Sequence, residues 1–126
     1  MIFRQLFDSS SSTYTYLIAD HNSREAVIID PVFEQATRDL ALIRELDLKL
    51  VYTVDTHCHA DHVTGAWILK EKTGCQISAS KKIGAANVDI KLVHGDQIRF
   101  GDQYLGVRET PGHTDGCLTY VTHNQS

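Results

Sequence analysis

The feature that most constrains this chain is the run Thr56-His57-Cys58-His59-Ala60-Asp61-His62. It follows residues 48–54, which are apolar and β-branched like a buried strand. It precedes a helical segment over about 62–72, stopped by Thr73-Gly74. On an extended backbone residues two apart project to one side, so His57 and His59 share a face. Asp61 and His62 fall in the turn into the helix, where they can reach a second position nearby. Imidazoles and a carboxylate gathered this closely are the ligand types of a zinc or iron site. Asp61 can also cap the helix, since capping and ligation use the same kind of oxygen.

A second run, Thr110-Pro111-Gly112-His113-Thr114-Asp115-Gly116-Cys117, lies between two strand-like stretches. Its Pro-Gly and Asp-Gly pairs make a tight loop that presents His113. A histidine donated from a separate loop is what closes a metal site begun by a local cluster.

The surrounding pattern places both runs. Residues 2–7 alternate like a strand, and 13–19 alternate and are rich in Thr and Tyr. Residues 26–29 are continuously apolar, which suits a strand buried on both faces and ended by Asp30-Pro31. Ala36, Leu40, Ile43 and Leu46 form the stripe of an amphipathic helix, with Arg38, Asp39, Arg44 and Glu45 facing water. Trp67, Ile68 and Leu69 form a helix face that packs on the sheet. Residues 76–79, 91–100, 103–109 and 117–122 read as strands, with Gly101-Asp102 as a turn and 123–126 turn-like. His21, His94 and His123 fall in polar turns. Helices alternating with strands make the chain α/β.

Composition narrows the function. The length of 126 residues predicts one domain, and a net charge of −4 argues against a nucleic-acid or anionic-membrane surface, which would need a basic patch. The longest apolar runs, 26–29 and 66–69, fall far short of the roughly 20 residues that span a bilayer. Cys58, Cys75 and Cys117 have no CxxC spacing and read as buried thiols, not a disulfide framework. With no signal or transit peptide before the first strand, the expected compartment is the cytoplasm.

The HxHxDH run with its later GHT histidine resembles the metallo-β-lactamase superfamily. Within it, residues 57–65, Thr73-Gly74-Cys75-Gln76 and 111–117 closely resemble the persulfide dioxygenases, over about 3–122 of the chain. Glyoxalase II shares HxHxDH but typically has a bulky residue at the position of Ala60 and a histidine at that of Cys117. The resemblance implies an αββα sandwich of which 1–126 is the N-terminal half, a partial metallo-β-lactamase-like domain. It also implies one Fe(II) per site (Zn in the alternative), held by His57, His113 and a carboxylate beyond Ser126. In this reading His59, Asp61 and His62 surround those ligands, whereas in a dinuclear zinc hydrolase they bind metal directly. The implied reaction oxidises glutathione persulfide with O2 and water to sulfite and glutathione. The glutathione-binding residues would also lie beyond Ser126. Two alternatives follow: a glyoxalase II-like zinc hydrolase of a glutathione thioester, and an inactive half-domain. In a half-sandwich the inner apolar face would be exposed and would call for a partner, such as a second copy in a homodimer.

Overall fold

The computed structural model describes residues 1–56, 65–81, 88–109 and 118–124, with Glu109 and 118–124 described as backbone. The chain opens with β1 (Ile2–Asp8), β2 (Thr13–Ala19) and β3 (Glu25–Ile29). A 3-10 turn (Phe33–Gln35) leads into α1 (Ala36–Glu45), then β4 (Lys49–Asp55), α2 (Ala66–Thr73), β5 (Gln76–Ser80) and β6 (Ile90–Leu92). The last strands are β7 (Gln97–Phe100), β8 (Gln103–Glu109) and β9 (Leu118–Asn124). Strands β1 to β6 form one sheet in sequence order, and β7 to β9 form a second. In the large sheet β1, β2 and β3 pair antiparallel, while β3 to β6 run parallel. The small sheet is antiparallel. Among the described residues no helix is long and apolar enough to cross a membrane.

Two apolar clusters explain the sequence pattern. Between the sheets, Ile18, Val27, Ile29, Val54 and Leu92 meet Ile98, Phe100, Leu105 and Val107. On the other face of the large sheet, Leu17, Ala19, Ala26, Ile28 and Leu50 meet Ile43 of α1, Leu69 of α2 and Cys75. Both faces of β3 are therefore covered, which is why Ala26-Val27-Ile28-Ile29 carries no polar residue. Cys75 is a free buried thiol whose pKa burial pushes up, an inert core residue as expected.

The layers run small sheet, large sheet, helices. The expectation of an exposed inner face therefore needs correction, because the small sheet covers it over β3 and β4. Among the described residues the β1–β2 end stays open: Phe3, Phe7 and Tyr14 are half-exposed there, with Phe7 packed on Tyr14 and both Phe3 and Tyr14 packed on Tyr16. The sheets are tied at their far end through the β7–β8 turn. Gly101 there donates its N–H to Glu25 Oε1 at 2.6 Å, and Asp102 donates its own to Asp20 Oδ2 at 3.4 Å.

Other expectations change as well. The strand read over 91–100 is two strands in different sheets, broken by a turn at 93–96 in which Gly95 has φ 94° and Asp96 Oδ2 accepts the Val93 N–H. The described second helix runs from Ala66 with Gly65 as its N-cap, and residues 62–64 of the expected range lie outside the described residues. His123 and Asn124 belong to β9 and pair with Tyr104 and Gln103. Asp39 does not face water: it lies on the α1 face that also carries Ala36 and Ile43, and it is fully buried. Trp67 is exposed, while Ala66 and Leu69 make the buried face of α2.

Candidate functional site

In a parallel sheet the loops after the strand carboxyl ends form the crevice where ligands bind. Strand β3 ends there just before Asp30 and β4 ends at Asp55, and the histidine run follows Thr56 at that edge. His57, Cys58, His59, Asp61 and His62 lie outside the described residues, as do His113 and Cys117. The structure describes the frame that holds them.

That frame is one short stretch, Asp30 to Phe33. Asp30 takes up φ 55°, a left-handed backbone that aspartate tolerates better than most residues. Its own N–H bonds to Val54 O at 2.8 Å, and its carbonyl accepts the Thr15 hydroxyl at 2.8 Å. With the backbone so fixed, the carboxylate grips Thr56 twice: Oδ1 accepts the Thr56 N–H at 2.8 Å and Oδ2 accepts its hydroxyl at 2.5 Å. Thr56 is the last residue before the histidine run. At the other end, the Gly65 N–H donates to Pro31 O at 2.9 Å. A Cβ on Gly65 would stand 3.0 Å from Val32 O and 3.3 Å from Pro31 Cβ, so only glycine lets the two backbones approach this closely. One residue past Val32, Phe33 stacks on Trp67 of α2, with ring centroids 5.9 Å apart and planes inclined by 21°. Both ends of the segment 57–64 are thus fastened to the same loop.

The strands that flank the other motif, β8 and β9, are paired where it begins and ends. The β7–β8 turn is tied to Asp20 and Glu25, at the amino end of β3. From that turn β8 runs back toward the edge where β3 and β4 finish, and it ends at Glu109 beside Leu118 of β9. The connection carrying His113 therefore springs from the edge that carries the histidine run. Near the segment 82–87, Asp89 accepts the Ile77 N–H at 2.8 Å and Lys70 Nζ at 2.6 Å. These contacts hold its carboxyl below the usual range and tie α2 to the start of β6.

The residue types suit a metal by chemistry: imidazoles and a carboxylate serve Zn and Fe(II) alike. Among the described residues no group of three such side chains stands close enough to hold an ion. Reading the sequence did not reveal the grip of Asp30 on Thr56, the close approach at Gly65 or the Phe33–Trp67 stack. The signal for the first was Asp-Pro directly after a buried strand, which marks a chain turning sharply at a sheet edge.

Comparison with known proteins agrees with this frame. A family model described as the metallo-beta-lactamase superfamily matches residues 10–126. The chain is 52% identical over 127 residues to the mitochondrial persulfide dioxygenase ETHE1 of Mus musculus, covering 100% of this chain and 50% of that protein. It is 32% identical over 122 residues to a hydroxyacylglutathione hydrolase of Bradyrhizobium sp. (strain ORS 278), covering 93% of this chain and 46% of that one. The crystal structure of ETHE1 from Myxococcus xanthus superposes with a TM-score of 0.91 at 51% identity, covering 97% of this chain and 54% of that chain. The chain spans about half the length of the curated relatives it matches.

Proposed function

Because this chain belongs to the metallo-β-lactamase superfamily, we propose that it is the N-terminal half of a persulfide dioxygenase. The observation that carries this reading is the identity to a protein of that name, 52% along the whole chain, against 32% to the hydroxyacylglutathione hydrolase. Ala60 and Cys117 point the same way. The substrate is glutathione persulfide. Its outer sulfur takes up both atoms of O2 and one oxygen from water, leaving as sulfite while glutathione is released as the thiol.

His57 and His113 are the ligands this half contributes to one Fe(II), and a carboxylate from the rest of the protein completes the set. Two histidines and a carboxylate would suit Fe(II), and the iron would supply the redox chemistry that brings the persulfide sulfur and O2 to react. His59, Asp61 and His62 orient the ligands and set their basicity. Asp30 and Thr56 fix where the histidine run leaves the sheet, and Gly65 fixes where it returns. The compartment we infer is a reducing one, in keeping with the free Cys75. The mouse relative is named as mitochondrial.

The test is O2 uptake with glutathione persulfide by the iron-loaded, full-length protein. Uptake is expected, and His57→Ala or His113→Ala should abolish it. Stoichiometric zinc with no uptake would overturn the reading. The hydrolase relative favours a second one, a zinc hydrolase of a glutathione thioester in which His59, Asp61 and His62 bind a second metal. Asp61→Ala should then remove that metal and hydrolysis together.

A further inference from the structure

We propose that the start of α1 is a pH-dependent latch on the edge strand β1. It holds most tightly when Asp39 is protonated and opens locally as that carboxylate ionises. The inference is independent of the metal reading above.

Two side chains at the start of α1 reach across to the end of β1. Gln35 Nε2 donates to Asp8 Oδ1 at 2.8 Å, and one terminal nitrogen of Arg38 donates to the Phe7 carbonyl at 3.0 Å. Asp39 aims the guanidinium, because its Oδ1 accepts both Arg38 Nε and the other terminal nitrogen. Its Oδ2 is buried with no hydrogen-bond partner among the described residues. A neutral carboxyl is far less costly to bury in this way than a carboxylate.

The charges around the junction do not offset that cost. Asp8, across from it on β1, is itself an acid, and the hydrogen bonds from Ser11 and Gln35 hold its carboxyl below the usual range. Arg4, on the same face of β1, is exposed and turns back to the Phe3 carbonyl. Glu34 of the 3-10 turn is exposed, and β2 sends only Thr13, Thr15 and Leu17 to this side. Arg38 attracts the anion but is partly exposed, and burial outweighs it. The helix N-terminus also favours an anion, a smaller effect. Asp39 therefore keeps its proton up to about pH 6 instead of 3.8.

Position decides where the cost is relieved. Asp39 lies in the first turn of α1, and the N-cap Gln35 makes no side-chain cap bond. Unwinding that one turn brings the carboxylate to water, while Ile43 keeps the rest of the helix on the sheet. It also releases Gln35 from Asp8 and Arg38 from Phe7, while β1 stays paired with β2. The closed form binds the proton more tightly than the open one. Closure is therefore favoured fully below pH 3.8, and that advantage is lost as pH rises through about 6.

The test is amide hydrogen exchange over residues 36–40 of the full-length protein, compared at each pH with the Asp39→Asn variant so that intrinsic rates cancel. From about pH 4 to about pH 7.5 the ratio of wild-type to variant rates should rise about 60-fold. Protection over 36–40 should also be lower than over Val27 to Ile29 and insensitive to low urea, which marks a local opening. A flat ratio would overturn the proposal. So would protection and urea dependence equal to those of Val27 to Ile29, because the charge would then act on global unfolding alone. Arg38→Gln should carry the end of the rise to higher pH, since no guanidinium then favours the anion, and a rise ending at the same pH would remove Arg38 from the latch and overturn it. Should the asparagine variant fail to fold, carbon-13 NMR of the Asp39 carboxyl in the wild type decides. A midpoint at about 6 is expected, and one near 3.8 would overturn the proposal.

Discussion

Replacing Asp39 with asparagine isolates the cost of a buried charge in this fold. The side chain is 0% exposed. Its Oδ1 accepts Arg38 Nε at 3.2 Å and a terminal guanidinium nitrogen at 3.1 Å. Among the described residues, Oδ2 is buried with no hydrogen-bond partner. Burial outweighs the attraction of Arg38 and raises the carboxyl from 3.8 to about 6. At 1.36 kcal/mol for each pH unit, that displacement corresponds to about 3 kcal/mol. The sign follows from which state holds the proton more tightly. The folded chain keeps it up to about pH 6, while the unfolded chain releases it near 3.8. Stability from this group is therefore complete below 3.8 and is lost as pH rises through about 6. Asparagine cannot ionise, so its variant escapes the loss while keeping the oxygen that faces Arg38. The assay is urea unfolding of both proteins at a series of pH values. The difference between the two curves cancels the histidines and the other carboxylates. The variant should gain about 3 kcal/mol on wild type between acid and neutral pH. Parallel curves would refute the claim that Asp39 is forced to ionise in an apolar setting.

Two further substitutions test the backbone approaches. Gly65→Ala puts a Cβ 3.0 Å from the Val32 carbonyl oxygen, with backbone and not a pliable side chain in the way, and should cost about 1–3 kcal/mol in urea unfolding. A neutral result would show that the loop after β3 yields. Gly101→Ala sets a Cβ against Asp20 Oδ2 and Ser23 Oγ at φ 61°, and should cost at least about 1 kcal/mol while loosening the tie between the sheets. It should also speed exchange at the Gly101 amide, which now bonds to Glu25. Retained protection there would contradict the clash.

Periodicity made most of the elements legible, because burial on one or two faces writes itself into residue type. The continuous run 26–29 and the stripe Ala36, Leu40 and Ile43 are examples. His57, His59, Asp61, His62 and His113, the residues proposed at or around the metal, stood out in the sequence for a different reason: ligation needs particular atoms, and few residues supply them. Partition into two sheets was not legible. Leu92, Ile98 and Phe100 alternate as one strand would, and the turn between them shows only as Gly95 with Asp96. Asp39 misled because charge predicts exposure unless a residue's place on the stripe is weighed above its type. Residues 30–33 were legible as an ending but not as a frame, since a carboxylate holding a threonine 26 positions away leaves no local mark.

The shared anchorage of both ends of the segment 57–64 also sets an order of events in folding. Thr56 and Gly65 find their partners on a loop that belongs to the previous strand, and that loop reaches them only after β3 and β4 have paired across α1. Parallel pairing of this kind is non-local and slow compared with forming a helix turn. The histidines therefore gain their frame only when the β3–α1–β4 unit has closed. On the proposed metal reading, an ion present earlier would meet a chain without that frame, so selection among metals would belong to the folded chain and not to the nascent one.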